Sequence, residues 1–93
     1  MITETYVEVS NELRLELFLN NGKTVTVRYR KVQLDGEKVV GRTEMGVPNL
    51  NLNLGDDPKE NRAKLEKWLI SFNMGDKLRG VWNAYVNLKD GRL

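Results

Sequence analysis

Residues 13–30 read LRLELFLNNGKTVTVRYR, and this stretch decides the fold. Leucine occupies every odd position from 13 to 19, and the odd positions 25, 27 and 29 carry Val, Val and Tyr. Alternation with a period of two predicts two half-buried β-strands, and the Asn-Asn-Gly sequence between them predicts a hairpin turn. We therefore expect the odd positions to share one buried face and the charged even positions to share the opposite face.

The length of the loop sets the register of this hairpin. A two-residue loop at residues 21–22 would place the two apolar sets on opposite faces, so we predict a three-residue loop over residues 20–22 with Gly22 as its bulge. This register pairs Leu17 with Val25, Leu15 with Val27 and Leu13 with Tyr29. It also places Arg14 opposite Arg28, a like-charge pair that is mildly destabilising.

The rest of the first half is also typical of β-structure. Residues 6–9 are β-prone, and the apolar positions change parity at Val32 and Leu34, which predicts a bulge near residues 30–31. The Asp35-Gly36 pair predicts a two-residue turn. Two glycines and a proline within residues 41–48 predict a loop, and the Asn-Leu alternation of residues 49–54 predicts a further strand.

A helix follows the clearest boundary in the chain. Asp57 suits an N-cap, Pro58 the first helical position and Glu60 the third, so we predict a helix over about residues 58–73. Its apolar stripe comprises Leu65, Trp68, Leu69 and Phe72. Residues 81–88 fit either a strand or a helix that begins at Asp76, and Gly80 with the β-branched and aromatic content favours the strand.

These elements predict an α+β fold over residues 1–93 as a single domain. An antiparallel sheet, built as a meander of hairpins from the N-terminal half, carries the main helix on one face. Because the 93 residues are 40% hydrophobic and 30% charged, the composition is that of a globular chain. Without cysteine, the core is expected to hold by packing alone.

The composition also limits the chemistry. The chain has no histidine and no cysteine, so it lacks the residue types of common nucleophile systems, thiol redox centres and ordinary zinc sites. Asp56 and Asp57 lack the further oxygen ligands of a calcium loop. We expect a non-enzymatic protein with no catalytic residue, cofactor or metal. No signal peptide or membrane-spanning run is recognised, so we expect a cytoplasmic protein.

Two surfaces are candidate binding sites. The first is the exposed strand of residues 49–54, where Asn49, Asn51 and Asn53 would face a partner. Tyr85 is a further candidate contact, because it faces away from Trp82 if residues 81–88 form a strand. The second is the basic outer face of the hairpin. Its candidate anion-binding or nucleic-acid-binding residues are Arg14, Arg28, Arg30 and Lys31, with Lys38 and Arg42 as neighbours of this face.

The basic face also has an ordinary interpretation, in which Glu12 and Glu16 neutralise the arginines across strands. The net charge of only +2 argues against a dedicated nucleic-acid binder. We therefore expect a small protein-binding module, with a homo-oligomer as one form of that binding, and we hold nucleic-acid binding as the alternative. The size and the asparagine-rich loops would also suit an accessory protein of a phage or mobile element.

Overall fold

The computed structural model describes residues 2–91, which form a mixed α+β fold with five strands and two α-helices. The strands are β1 Glu4–Glu8, β2 Leu13–Asn20, β3 Thr24–Asp35, β4 Lys38–Glu44 and β5 Leu50–Asn53. The α-helices are α1 Pro58–Ile70 and α2 Leu78–Asp90, with a short 3-10 helix at Gly75–Lys77 between them. As predicted, the sheet is antiparallel, in the order β1-β2-β3-β4 with β5 also paired to β3.

Strand β3 is twelve residues long and pairs with three other strands of the sheet. It pairs with β2 over residues 24–31. Its first residues, 24–27, also pair with β5, and its last residues, 30–35, pair with β4. Strands β5 and β4 therefore lie one after the other along the same side of β3.

The predicted face of the β2–β3 hairpin is confirmed, but the predicted register is wrong by two residues. Leu15 pairs with Tyr29 and Leu17 with Val27. The loop has the predicted three residues but spans residues 21–23 rather than 20–22, because Asn20 pairs with Thr24. Asn21 and Gly22 within it both have positive φ (54° and 68°). Because the shift is even, the apolar face is unchanged, while every charged pair across the two strands is exchanged.

The β3–β4 hairpin also differs in detail from the prediction. Asp35 pairs with Lys38, so the turn residues are 36–37 rather than 35–36. The irregularity lies at residues 33–34 rather than 30–31, and β4 continues to residue 44, so the predicted loop over residues 41–48 is wrong in its first half. Val32 therefore stays on the arginine side of β3, where it is buried at 2% exposure.

Helix α1 begins as predicted. Asp57 is its N-cap and accepts a hydrogen bond from the backbone N–H of Lys59 at 2.9 Å, with Pro58 in the first turn. The helix ends at Ile70, three residues before the predicted end. Asn73 then adopts a left-handed conformation (φ 62°), and the N–H of Met74 bonds to the carbonyl of Leu69 at 2.8 Å, so the chain turns before Gly75.

The predicted C-terminal strand is wrong, because residues 78–90 form helix α2. Val81, Tyr85 and Leu88 are buried at a spacing of four and three residues, which is the helical period. The β-propensity of this segment is overridden because the helix buries all three side chains at once, which a strand with alternating faces does not do.

The core lies between one face of the sheet and the two helices. The fully or almost fully buried members from the sheet are Leu15, Leu17, Val25, Val27, Tyr29 and Leu52. Those from the helices are Leu65, Trp68, Leu69, Val81, Tyr85 and Leu88. Within residues 2–91, neither α-helix has the length and apolar character needed to cross a membrane.

Candidate binding groove on the open face of the sheet

The face of the sheet that points away from the helices is called the open face. The register aligns one charged row across it, from Glu8 on β1 through Arg14 on β2 and Arg30 on β3 to Glu44 on β4. The predicted pairing of Arg14 with Arg28 is therefore wrong, because Arg14 faces Arg30 and Arg28 faces Glu16. Two arginines lie side by side at the centre of the row, with one glutamate at each end.

Glu16 is a buried carboxylate on this face, with only 3% of the residue exposed. It lies opposite Arg28 in the register and accepts a hydrogen bond from the Nε of Arg28 at 3.2 Å. Its two oxygens also accept from the Nε of Arg42 on β4, at 2.9 and 3.1 Å. One negative charge is thus shared by two guanidinium groups, whose Nη atoms make no hydrogen bond within residues 2–91.

Arg14 is held differently. Its guanidinium lies over the ring of Tyr6, 3.8 Å from the ring centroid. Among the residues described, it forms no hydrogen bond and no ion pair, and its Nε is buried without a partner. A stacking contact with an aromatic ring stabilises a cation but does not use its N–H donors. Arg14 therefore presents a fixed positive charge that this part of the chain does not neutralise by direct contact.

Two of the predicted basic residues are not available for binding on this face. Arg30 is 7% exposed, and its Nη atoms donate to the carbonyl of Tyr29 at 2.9 Å and to Oδ1 of Asn49 at 3.2 Å. Lys31 lies opposite Leu13, on the other side of the sheet, 3.7 Å from Glu12. Alternation along β3 does not show that Arg30 has hydrogen-bond partners inside the protein, and Lys31 lies away from the arginines because the bulge predicted at residues 30–31 is absent.

A groove of about 410 Å³ runs over the remaining charged residues. Strands β1, β2 and β4 all line it, through Glu4, Thr5, Tyr6, Arg14, Glu16, Phe18, Val39 and Arg42. Since β1 and β4 are separated in the sheet by β2 and β3, a shared groove means that the open face is concave. Two aromatic rings line it, Tyr6 at 49% exposure and Phe18 beneath the guanidinium of Arg28, 4.3 Å away.

The predicted asparagine surface has a role inside the protein. The Oδ1 atoms of Asn49, Asn51 and Asn53 accept hydrogen bonds from Arg30, from the hydroxyl of Thr26 at 2.7 Å and from the N–H of Gly55 at 2.9 Å. The carbonyl of Asn53 accepts from Nδ2 of Asn61 at 2.8 Å. These contacts join β5 to its neighbours, so the asparagines have structural partners as well as solvent exposure.

The expectation that Tyr85 is exposed is wrong. The residue is 1% exposed in α2, and its hydroxyl accepts a hydrogen bond from Nδ2 of Asn61 at 3.1 Å. Burial raises the pKa of Tyr85, the bond from Asn61 opposes that rise, and the nearby charge of Asp56 adds to it. The error follows directly from reading residues 81–88 as a strand.

The sequence interpretation missed Tyr6, and it named Arg42 only as a neighbour of the basic face. A usable signal was present in β1, where Glu4, Tyr6 and Glu8 alternate with Thr and Val. Had β1 been paired antiparallel with β2, Glu8 would have been placed beside Arg14, and Tyr6 beside Glu16. Arg42 is brought to Glu16 by tertiary structure alone, and no local pattern indicates it.

Comparison with known proteins gave no match to a family model, to a curated protein or to a solved structure. The function is therefore argued from the chemistry and geometry of the groove.

Proposed function

We propose that this protein is a non-enzymatic protein-binding module that holds its partner in the groove of the open face. The observation that carries the proposal is Arg14, which is fixed over Tyr6 without a hydrogen-bond acceptor or counter-ion among residues 2–91. Its buried Nε lacks an acceptor, which costs free energy, and a bound partner that supplies an acceptor to this guanidinium would offset that cost.

The composition of the groove supports a protein partner. Tyrosine and arginine are enriched among the residues that dominate protein–protein binding energies, and both occur here beside Phe18 and Val39. The groove brings together an exposed aromatic ring, two arginines with free donors and an apolar wall. The buried Glu16 holds Arg28 and Arg42 in place before binding, which lowers the entropy lost on association.

The groove offers little that would support catalysis. Its one buried carboxylate already accepts hydrogen bonds from two guanidinium groups, and Thr5 is its only hydroxyl besides that of Tyr6. General acid–base catalysis needs a group that can take up and release a proton near neutral pH, positioned beside a reacting atom. A binding function is therefore the simpler proposal.

Affinity capture with matched variants tests the proposal. Tagged wild-type protein, Tyr6→Ala, Arg14→Ala and the control Lys64→Ala are compared, since Lys64 lies on α1 away from the groove with a half-exposed side chain. We expect one protein to be captured by the wild type and the control, and to be lost from both groove variants. Capture that is equal for all four proteins, each shown to be folded by circular dichroism, would contradict the proposal.

Nucleic-acid binding is the second candidate, and the paired stacks of Arg14 on Tyr6 and Arg28 on Phe18 favour it. Guanidinium planes and aromatic rings are the surfaces on which unpaired bases stack. Fluorescence anisotropy with a labelled single-stranded oligonucleotide tests this candidate. It predicts binding that weakens steeply with salt and is reduced by Arg28→Glu, and no binding at low ionic strength would remove it.

Self-association through β5 is a third form of binding, in which the free edge of the strand pairs with a second copy. The structure gives it less support than the groove. The strand has four residues, and the carbonyl of Asn53 at its end already accepts from Asn61. We also propose that the protein acts in the cytoplasm, since a chain without cysteine suits a reducing compartment.

A further inference from the structure

We infer that the partner in the groove supplies a carboxylate from an aspartate or glutamate side chain of an extended peptide, bound by Arg14 together with Arg42. This inference rests on the proposed function and specifies the chemistry of the partner. It follows from three features of the open face: the free donors of the two arginines, the arrangement of acidic residues around them and the apolar walls of the groove.

The two arginines are prepared to receive an anion. Arg42 contacts Glu16 from β4, and Arg14, two positions before Glu16 on the same face of β2, lines the same groove. Arg42 uses only its Nε on Glu16, and Arg14 uses no donor within residues 2–91. The remaining N–H groups match the geometry in which arginine binds a carboxylate with two parallel hydrogen bonds.

The distribution of acidic residues favours a peptide over a nucleic acid. Among residues 2–91, the strands present four arginines on the open face, at positions 14, 28, 30 and 42, and four glutamates, at positions 4, 8, 16 and 44. A nucleic-acid strand has a charge at every phosphate, so its path over this face would meet the exposed glutamates as well as the arginines. A peptide with isolated acidic side chains avoids that repulsion.

The walls of the groove favour apolar residues next to the acidic one. Tyr6 and Phe18 lie on one side and Val39 on the other, and Val40 beside it is 52% exposed. Side chains of an extended strand alternate in direction, so a single glutamate flanked by leucines presents one carboxylate to the arginines and leaves apolar side chains for the rim. We therefore choose such a sequence as the probe.

The experiment measures binding of the peptide acetyl-Ser-Leu-Glu-Leu-Ser-amide by isothermal titration calorimetry, with amide chemical shifts used to locate the site. The matched probes are the same peptide with glutamine in place of glutamate and a short oligothymidylate. We expect the glutamate peptide to bind in the groove, and its affinity to fall roughly tenfold or more both with the glutamine peptide and in Arg14→Gln. Lys64→Gln should bind as the wild type does.

A second variant, Arg14→Lys, keeps the positive charge but loses the planar guanidinium with its paired N–H donors. We expect it to retain part of the affinity for the glutamate peptide. Equal binding of the two peptides, no effect of Arg14→Gln in a protein that still unfolds at the wild-type urea concentration, or tighter binding of the oligothymidylate would each overturn the inference. If the peptide results fail while Tyr6→Ala and Arg14→Ala still lose the captured protein, the proposed function stands and the carboxylate inference falls.

Discussion

Oε2 of Glu16 lies 2.9 Å from Nε of Arg42, a residue 26 positions later in the chain. The two residues are on strands that are not neighbours, because β3 lies between β2 and β4. The two long side chains meet across β3 on the open face. This contact explains how a glutamate is buried on the side of the sheet that has no helix packed against it.

Loss of the Glu16 carboxylate should destabilise the fold. In Glu16→Gln, Arg28 and Arg42 lose their shared counter-ion, and we expect the free energy of unfolding to fall by about 1 to 3 kcal/mol. This is less than the cost at a fully buried pair, because the two arginine side chains are 28% and 40% exposed. Urea denaturation measures the change.

The control for that measurement is Glu44→Gln. The Glu44 side chain is 85% exposed and lies 3.8 Å from Arg30, so its removal should cost less than about 0.5 kcal/mol. Equal stability of Glu16→Gln and the wild type would mean that the ion pairs are not formed in solution.

Alanine substitutions at Gly22 and Gly80 should change the free energy of unfolding in opposite directions. Gly22 has a φ of 68°, so alanine there is strained despite the open space around it, and we expect a loss of about 1 kcal/mol. Gly80 lies within α2, where a Cβ would make only an ordinary contact with Val7 at 3.7 Å. Gly80→Ala should therefore stabilise the protein by about 0.5 to 1 kcal/mol in thermal or urea denaturation. Destabilisation by Gly80→Ala would argue against helix α2.

The N-cap of α1 should contribute a measurable part of its stability. Asp57→Ala removes the acceptor for the N–H of Lys59 and the negative charge at the helix N-terminus, and we expect a loss of about 0.5 to 2 kcal/mol. Asp57→Asn keeps an acceptor and should recover most of that loss. The free energy of unfolding of the three proteins, measured under the same conditions, checks this prediction.

Tyr85 should make the fold sensitive to alkaline pH. Because burial raises its pKa in the folded protein, its contribution is complete below about pH 10, the usual pKa of tyrosine, and is lost as pH rises through the higher folded value. Tyr85→Phe should lose less stability over this alkaline range than the wild type, although it is less stable at neutral pH without the bond to Asn61.

Part of the fold could be predicted because one face of the β2–β3 hairpin is so strongly apolar. The alternation determines which residues are buried. A change of the β2–β3 pairing register by an even number of residues leaves the same side chains on the buried face. The register itself depends on the conformation of Asn21, where a left-handed residue other than glycine moved the turn by one position. The charged pairs followed that shift, which is why Arg14 was assigned the wrong neighbour.

The C-terminal helix and the groove could not be read from local pattern in the same way. Val81, Tyr85 and Leu88 fit a helical face, but single-residue propensities favoured a strand, and only packing decides between the two. The groove depends on β1 and β4 reaching the same space, a property of the bent sheet. Arg14 was identified from the sequence, whereas Tyr6, Glu16 and Arg42 acquire their roles in the groove from tertiary contacts.

Site-specific photo-crosslinking tests the central claim most directly. A photoreactive phenylalanine is placed at Val40, which is 52% exposed beside the groove residue Val39, or at Ile70, which is 61% exposed on α1 and lies outside the groove. We predict that the protein captured by the wild type is crosslinked at position 40 and not at position 70, and that Arg14→Gln suppresses this crosslink. Crosslinking of that protein at position 70 alone would show that the open face is not the binding surface.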